Sequence, residues 1–318
     1  MPLFGAHMSI AGGVCKALES AHALGMQTVQ LFTASPQKWP VTQLPIGKTA
    51  FSTGVSFTKN NNQWAGKAFS PDEPAEFRTL LRKTKLKFAT SHTSYLINLA
   101  SPDPVLWRKS VESFVDEMSR AEVLGLTYLV THPGAHVGAG EETGLANVVR
   151  ALDEIHERCP GYRVKVLLEL TAGQGSCLGH RFEHLATIIN RVREKKRLGV
   201  CLDTCHIFAA GYALCSETEY QATFAEFDRV LGLKRLKLFH LNDSKKPFAS
   251  RVDRHEHIGK GFLGIEPFRM LVNDPRFQKS PMILETAKED EAGNEMDPVN
   301  LATLRELTTT STFPSPTR

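Results

Sequence analysis

The chain has 318 residues, 42% of them hydrophobic and 23% charged, the composition of a globular protein with a large core and not of a disordered or fibrous one. Its 38 Lys and Arg against 34 Asp and Glu leave a net charge of +4, spread along the chain, so a polyanionic partner is permitted without being demanded. Six cysteines without a C-x-x-C pair exclude a disulfide scaffold and are expected to be reduced thiols of a cytoplasmic protein. The opening MPLFGAHMSIAGG has no basic stretch before an apolar one, and no window approaches the roughly 18 apolar residues of a membrane span, so neither export nor membrane attachment is expected.

Short β-rich runs alternate with helical patterns along nearly the whole sequence, which predicts βα units around a parallel sheet. In chain order the strands fall at 3–9, 28–32, 88–92, 128–132, 164–170, 198–203, 236–242 and 282–286. Helices, from apolar residues spaced three and four apart, fall at 14–24, 74–83, 105–124, 143–158, 180–194, 220–231, 266–272 and 298–307. Eight such units can close into a single (β/α)₈ TIM barrel over 1–307, the expected fold, with a doubly wound open sheet as the alternative. Strands such as VKVLLEL are nearly continuous in apolar residues, as strands covered on both faces must be.

Two stretches break the rhythm. Between strands two and three, 33–70 carries no periodicity, so the second βα loop is extended, and it holds a near-repeat: FT-x5-W at Phe32 to Trp39 and again at Phe57 to Trp64. The tail 308–318, TTTSTFPSPTR, is rich in Ser, Thr and Pro and is expected to be disordered.

In a barrel of this kind chemistry gathers at the C-terminal ends of the strands. Six consecutive predicted strands place a metal-type side chain there: His92, His132, Glu169, Asp203 with His206 just beyond, His240 and Glu285, while the loop after strand seven adds Asp253 and His255. Glu169 and Glu285 lie in otherwise apolar strands, where an unpaired carboxylate would be very costly, and few Lys or Arg stand nearby to face them. Divalent metal is the simplest compensation, and imidazole mixed with carboxylate points to zinc ahead of Mn²⁺ or Fe²⁺. Five His and four carboxylates suit three ions if one carboxylate bridges, and such a cluster favours an anionic substrate such as a phosphodiester.

The segments HTSYLINL (92–99), HPGAH (132–136), LELTAGQG (168–175), GVCLDTCHIFAAGY (199–212), FHLNDSK (239–245), SRVDRHEHIGKG (250–261) and ILETA (283–287) resemble the endonuclease IV family of zinc-dependent apurinic/apyrimidinic endonucleases, over about residues 3–307. The resemblance implies a barrel that binds duplex DNA, flips out an abasic nucleotide and hydrolyses the phosphodiester on its 5′ side, leaving a 3′-hydroxyl and a 5′-deoxyribose phosphate. It implies three Zn²⁺ per chain, with Mn²⁺ as a substitute. His92, His132 and Glu169 would hold one ion; Glu169 would bridge to a second completed by Asp203, His240 and Glu285; His206, Asp253 and His255 would hold the third. A hydroxide between the first two ions would be the nucleophile, with Glu169 and Glu285 as the catalytic carboxylates. Tyr95 and Leu96 resemble residues that penetrate the duplex at the lesion, and Asn62 and Arg254 are further candidate DNA contacts. No obligate protein partner is implied, and a cytoplasmic monomer is expected.

Some residues stay open. His7 ends the first strand and is read as a group supporting the ligands or facing phosphate, or as a structural His; Asn242 and Asp243 as supporting or phosphate-contacting groups; and His136, His180 and His257 not as ligands. The family usually has Asn where this chain has Leu170 and Asp where it has Thr93, and neither change removes a ligand. Residues 33–57 read as an insertion, either tolerated without a role, the favoured view, or adding phosphate contacts through Lys38 and Lys48. Because the two FT-x5-W copies mimic one another, either could be the DNA-reading one. Outside this family, a metal-dependent sugar isomerase or epimerase on a similar barrel is the alternative, and a DNA-binding protein that no longer cuts is a third; the large ligand set and the Tyr95–Leu96 pair argue for the nuclease.

Overall fold

The structure, a computed structural model, describes residues 2–34 and 68–308. In chain order the strands are β1 (Leu3–Met8), β2 (Gln30–Leu31), β3 (Thr90–His92), β4 (Tyr128–Thr131), β5 (Lys165–Glu169), β6 (Leu198–Asp203), β7 (Leu236–Leu241), a two-residue pair β8 (Asp243–Ser244) and β9 (His255–Glu256), and β10 (Pro281–Leu284). All but β8 and β9 form one closed barrel in which β10 pairs back onto β1, and every neighbouring pair is parallel. Closure rules out the open sheet. The fold is a TIM barrel.

The helices are α1 (Val14–Ala23), α2 (Glu73–Thr84), α3 (Pro104–Leu124), α4 (Glu141–Arg158), α5 (Phe182–Arg191), α6 (Thr204–Ala210), α7 (Glu217–Val230), α8 (Glu266–Asn273) and α9 (Asp297–Leu307). Their ends follow local chemistry. Asp103 caps α3 by accepting the Val105 and Leu106 N–H groups at 2.7 and 3.0 Å, Pro104 opens the helix, and Gly125 closes it in a left-handed conformation. Expected and observed elements agree to within a few residues, with two additions: α6, and the antiparallel β8–β9 pair within the loop after β7. β2 ends at Leu31 and α2 begins at Glu73; of the extended second loop expected between them, residues 35–67 lie outside the described residues. Its repeat positions Trp39, Phe57 and Trp64, with Lys38, Lys48 and Asn62, lie outside the described residues, as does nearly all of the tail. At the two ends of that stretch Arg120 of α3 donates to the Thr33 carbonyl and lies 3.9 Å over the Phe69 ring.

The core has two parts. Most buried apolar residues lie between barrel and helices, while Tyr128, Val130, Leu167, Cys201, Leu238 and Ile283 form a separate cluster. That second cluster fills the barrel. Strand side chains alternate between faces, so the residues two positions beyond Val130, Leu167, Cys201, Leu238 and Ile283 also point inward: His132, Glu169, Asp203, His240 and Glu285. The plug of apolar side chains is thus capped at its C-terminal end by a layer of ligand-type groups, with no change of pattern in the backbone.

Candidate metal centre

Glu169 is the hub. Fully buried at the end of β5, its Oε2 lies 3.1 Å from His92 Nε2 and 3.3 Å from His132 Nε2, and its Oε1 lies 2.9 Å from His240 Nδ1. His240 Nδ1 is also 3.1 Å from Glu285 Oε2. On the other side of the hub, His206 Nε2 is 3.1 Å from Asp253 Oδ2, His255 Nε2 is 3.3 Å from Asp253 Oδ1, and the two Nε2 atoms stand 3.4 Å apart. Asp203 sits between the groups, its Oδ2 3.6 Å from His255 Nε2 and 4.0 Å from Nδ1 of both His206 and His240. All nine ligand-type residues named from the sequence therefore share one cavity.

Local structure aims them. His206 lies in the first turn of α6, and Asp203 caps that helix by accepting the His206 N–H at 2.9 Å. Asn242 donates to Asp203 Oδ2 at 2.7 Å and accepts the Glu285 N–H at 3.0 Å, tying β6, β7 and β10 at the rim. Asp243 turns from the site: its carboxylate accepts backbone N–H groups of Ser244, Gly261 and Leu263, which pins the loop bearing Asp253 and His255.

Four imidazoles have an assigned tautomer, because a carbonyl oxygen can only accept. His92 Nδ1 donates to Thr93 O at 2.8 Å, His206 Nδ1 to Leu170 O at 2.9 Å, His255 Nδ1 to Glu285 O at 3.2 Å, and His240 Nε2 to the Gln30 side-chain carbonyl at 2.8 Å. When neutral, each ring then turns a lone pair toward carboxylate oxygens, and His206 and His255 turn theirs toward each other. Lone pairs at such distances repel unless a cation lies among them. Tetrahedral zinc with bonds of about 2.0–2.1 Å has donor–donor edges of about 3.3 Å, the separations found here. The donor set fits divalent metal. At the two departures, Thr93 and Leu170, it is the main-chain carbonyl that holds the ring.

With protons as the only cations, the same geometry polarises the site. Burial alone would raise Glu169, yet the His240 and His132 imidazoles hold it well below the usual carboxylate range. Burial would lower His92 and His255, but Glu169 beside His92, and Asp203 and Asp253 beside His255, push each up to about 9. Cys201 and Cys205 also adjoin the cluster; burial raises both thiols, Cys205 to about 12, and the Cys205 thiol donates to the Arg254 carbonyl at 3.6 Å.

Among the residues expected to meet DNA, Tyr95 stands 69% exposed at the rim, its ring 5.6 Å from Phe32 and 5.9 Å from His92. Leu96 is instead half-buried and packs on the core. The Ser94 N–H at the base of this loop donates to buried Glu117 at 2.9 Å. Arg254 is exposed, its guanidinium donating to the Asp253 carbonyl at 2.7 Å. His7 is half-buried beside Glu285, its Nδ1 accepting from the Gln30 amide at 3.0 Å. Gln30 escaped the sequence reading, although a lone amide in the apolar run VQLF must find partners and so marks a polar contact in the barrel.

Known proteins resemble this chain over nearly its whole length. A family described as xylose isomerase-like TIM barrel matches residues 18–306. A probable endonuclease 4 of Chloroflexus aurantiacus is 48% identical over 307 residues, covering 96% of this chain and 98% of that protein. The crystal structure of endonuclease IV from Thermus thermophilus superposes with a TM-score of 0.78 at 35% identity, covering 96% and 98% of the two chains. A D-tagatose 3-epimerase-like protein superposes at 0.64 with 18% identity and shares the fold alone. Family-wide match, near-full-length identity and the superposition agree: the chain belongs to the endonuclease IV family.

Proposed function

We propose that this protein is an abasic-site endonuclease that hydrolyses the phosphodiester 5′ to the lesion in duplex DNA, leaving a 3′-hydroxyl and a 5′-deoxyribose phosphate, with three zinc ions held at the barrel mouth. The observation that carries the reading is the convergence of nine donors on one cavity, with imidazole lone pairs turned toward carboxylates. His92, His132 and Glu169 would hold one ion, with Glu169 reaching a second beside Asp203, His240 and Glu285, and His206, Asp253 and His255 would hold the third. Bound dications supply water acidified toward a pKa of about 7 and positive charge for phosphate oxygens.

The chain's own residues do the rest. Glu169 and Glu285, anchored at the ends of β5 and β10 among imidazoles that hold both carboxyls below their usual range, keep their charge and orient the attacking water. Tyr95, projecting from the rim, takes the space of the missing base, where insertion costs least because no base is stacked. Arg254, exposed beside Asp253, is placed to meet backbone phosphate. We read 1–307 as one catalytic barrel, 33–57 as an insertion, and the enzyme as a cytoplasmic monomer; among the described residues no helix is long and apolar enough to cross a membrane.

The test is metal analysis of the purified chain together with incision of a duplex carrying one tetrahydrofuran abasic analogue. About three zinc per chain and a nick 5′ to the analogue are expected. Absence of bound metal sinks the reading; metal without nicking leaves a binding protein; and turnover of a ketose in place of nicking makes it an epimerase.

A further inference from the structure

One of the four assigned imidazoles is held differently from the rest. His92, His206 and His255 are fixed by main-chain carbonyls and present Nε2, whereas His240 is fixed by a side chain and presents Nδ1. That side chain is Gln30, fully buried on β2 between Val29 and Leu31. Its carboxamide has three partners: the nitrogen donates to Glu285 Oε1 and, at 3.0 Å, to His7 Nδ1, and the oxygen is 2.8 Å from His240 Nε2. The ionised Glu285 carboxylate can only accept, so the amide nitrogen must face it, and the amide oxygen must then face His240. An oxygen at that distance requires an N–H opposite. His240 Nε2 therefore carries the proton, and Nδ1, 2.9 Å from Glu169 and 3.1 Å from Glu285, carries the lone pair.

We propose that Gln30 is a positioning residue that selects Nδ1 of His240 as the nitrogen given to metal and, through its other end, holds Glu285 beside it. This rests on the metal reading above. The amide suits the task because it is uncharged: it leaves the charge of the cluster unaltered while supplying one acceptor and one donor in fixed relation. Partners of this kind orient a ligating ring and raise its basicity, and losing one typically costs about 10–100-fold in metal affinity or activity. Gln30 touches neither substrate nor the reacting atoms, so the loss should appear in turnover and metal retention, not in DNA affinity.

The experiment compares wild type with Gln30→Met, which keeps length and burial but removes donor and acceptor. Zinc retention is measured by competition against a chelator, incision kinetics on the tetrahydrofuran duplex, and thermal unfolding after metal removal. One zinc equivalent should bind about 10–100-fold more weakly, kcat should fall while KM stays within about twofold, and the metal-free variant should unfold as a single transition like wild type. Equal zinc retention in wild type and variant overturns the role of Gln30 while leaving the metal reading intact; a wild type that retains no zinc overturns both. Should Gln30→Met fail to fold, ring-nitrogen NMR of zinc-loaded wild type, with His240 assigned by its loss in His240→Asn, decides. Ligation through Nδ1 with a protected Nε2–H supports the proposal, and ligation through Nε2 refutes it.

Discussion

Among the described residues, two clusters of His and carboxylate within ligating distance differ in what surrounds their donor atoms. At the barrel mouth, backbone carbonyls and Gln30 take the outer ring N–H of four imidazoles, so their lone pairs converge on carboxylates. Between α4 and α5, Glu141, His180 and His184 are as close together, but both ring nitrogens of His184 already face N–H donors: the Gly179 N–H meets Nδ1 at 3.1 Å and the Arg181 Nε–H meets Nε2 at 3.1 Å. Arg181 fills the remaining space, pairing with Glu141 and lying 2.8 Å from His184 Nε2. Proximity of residue types is thus a weak criterion for a metal site. Whether a side-chain cation already stands among the donors decides.

The strongest way to break this contrast is Glu169→Gln. Removing the charge of the hub while keeping its shape should lower incision by more than about 100-fold, beyond the loss of a mere supporting partner, and should shed metal as measured by elemental analysis, with the circular dichroism spectrum preserved. Near-normal turnover would remove Glu169 from the role assigned to it.

Next in size is the effect of pH on metal uptake. In the metal-free protein His92 and His255 keep their protons up to about pH 9, so an entering ion must displace them and its apparent affinity should climb with pH, about tenfold per unit for each proton released. Calorimetry in buffers of different ionisation enthalpy counts those protons. The sign for stability is opposite: imidazoles raised from 6.5 to about 9 on folding stabilise the metal-free fold fully below pH 6.5, and that contribution is lost as the pH rises through about 9. A metal-free melting temperature that does not fall over that window, or zinc binding without proton release, would contradict the charge state described for the cluster.

The sequence carried most of this site because barrel strands obey a two-residue period. Once Val130, Leu167, Cys201, Leu238 and Ile283 face inward, His132, Glu169, Asp203, His240 and Glu285 must follow them. What it hid depends on contacts between distant segments. The tautomer of His206 is set by Leu170 O and that of His240 by Gln30, pairs that no local pattern reveals. The strands β8 and β9 are too short for periodicity to register, and α6 had a readable cap in Asp203 and stop in Gly211 but adjoins β6 without a loop to announce it. Leu96 was legible only as a neighbour of Tyr95; that one is exposed and the other packed follows from the turn they share.

A smaller effect should come from Tyr95→Ala. Stacking of an aromatic ring on a base is worth about 1–3 kcal/mol by alanine substitution, so binding to abasic duplex should weaken by about 5–150-fold in a fluorescence anisotropy titration, with intact duplex much less affected. Equal losses on both duplexes would reassign Tyr95 from lesion recognition to general support of the rim, where its ring meets Phe32 and His92.

The smallest effect is expected from the cluster that Arg181 already fills. Glu141→Gln removes the carboxylate facing His184 and Arg181, groups whose interaction is weakened by solvent because Glu141 and Arg181 are 41% and 51% exposed. Its cost in stability should stay below about 1 kcal/mol, and the zinc content and incision rate should match wild type. A loss of one zinc equivalent in Glu141→Gln would mean that an ion can displace Arg181 from His184 Nε2 and Glu141. The guanidinium would then no longer separate the two clusters, and the assignment of all three ions to the barrel mouth would have to be redrawn.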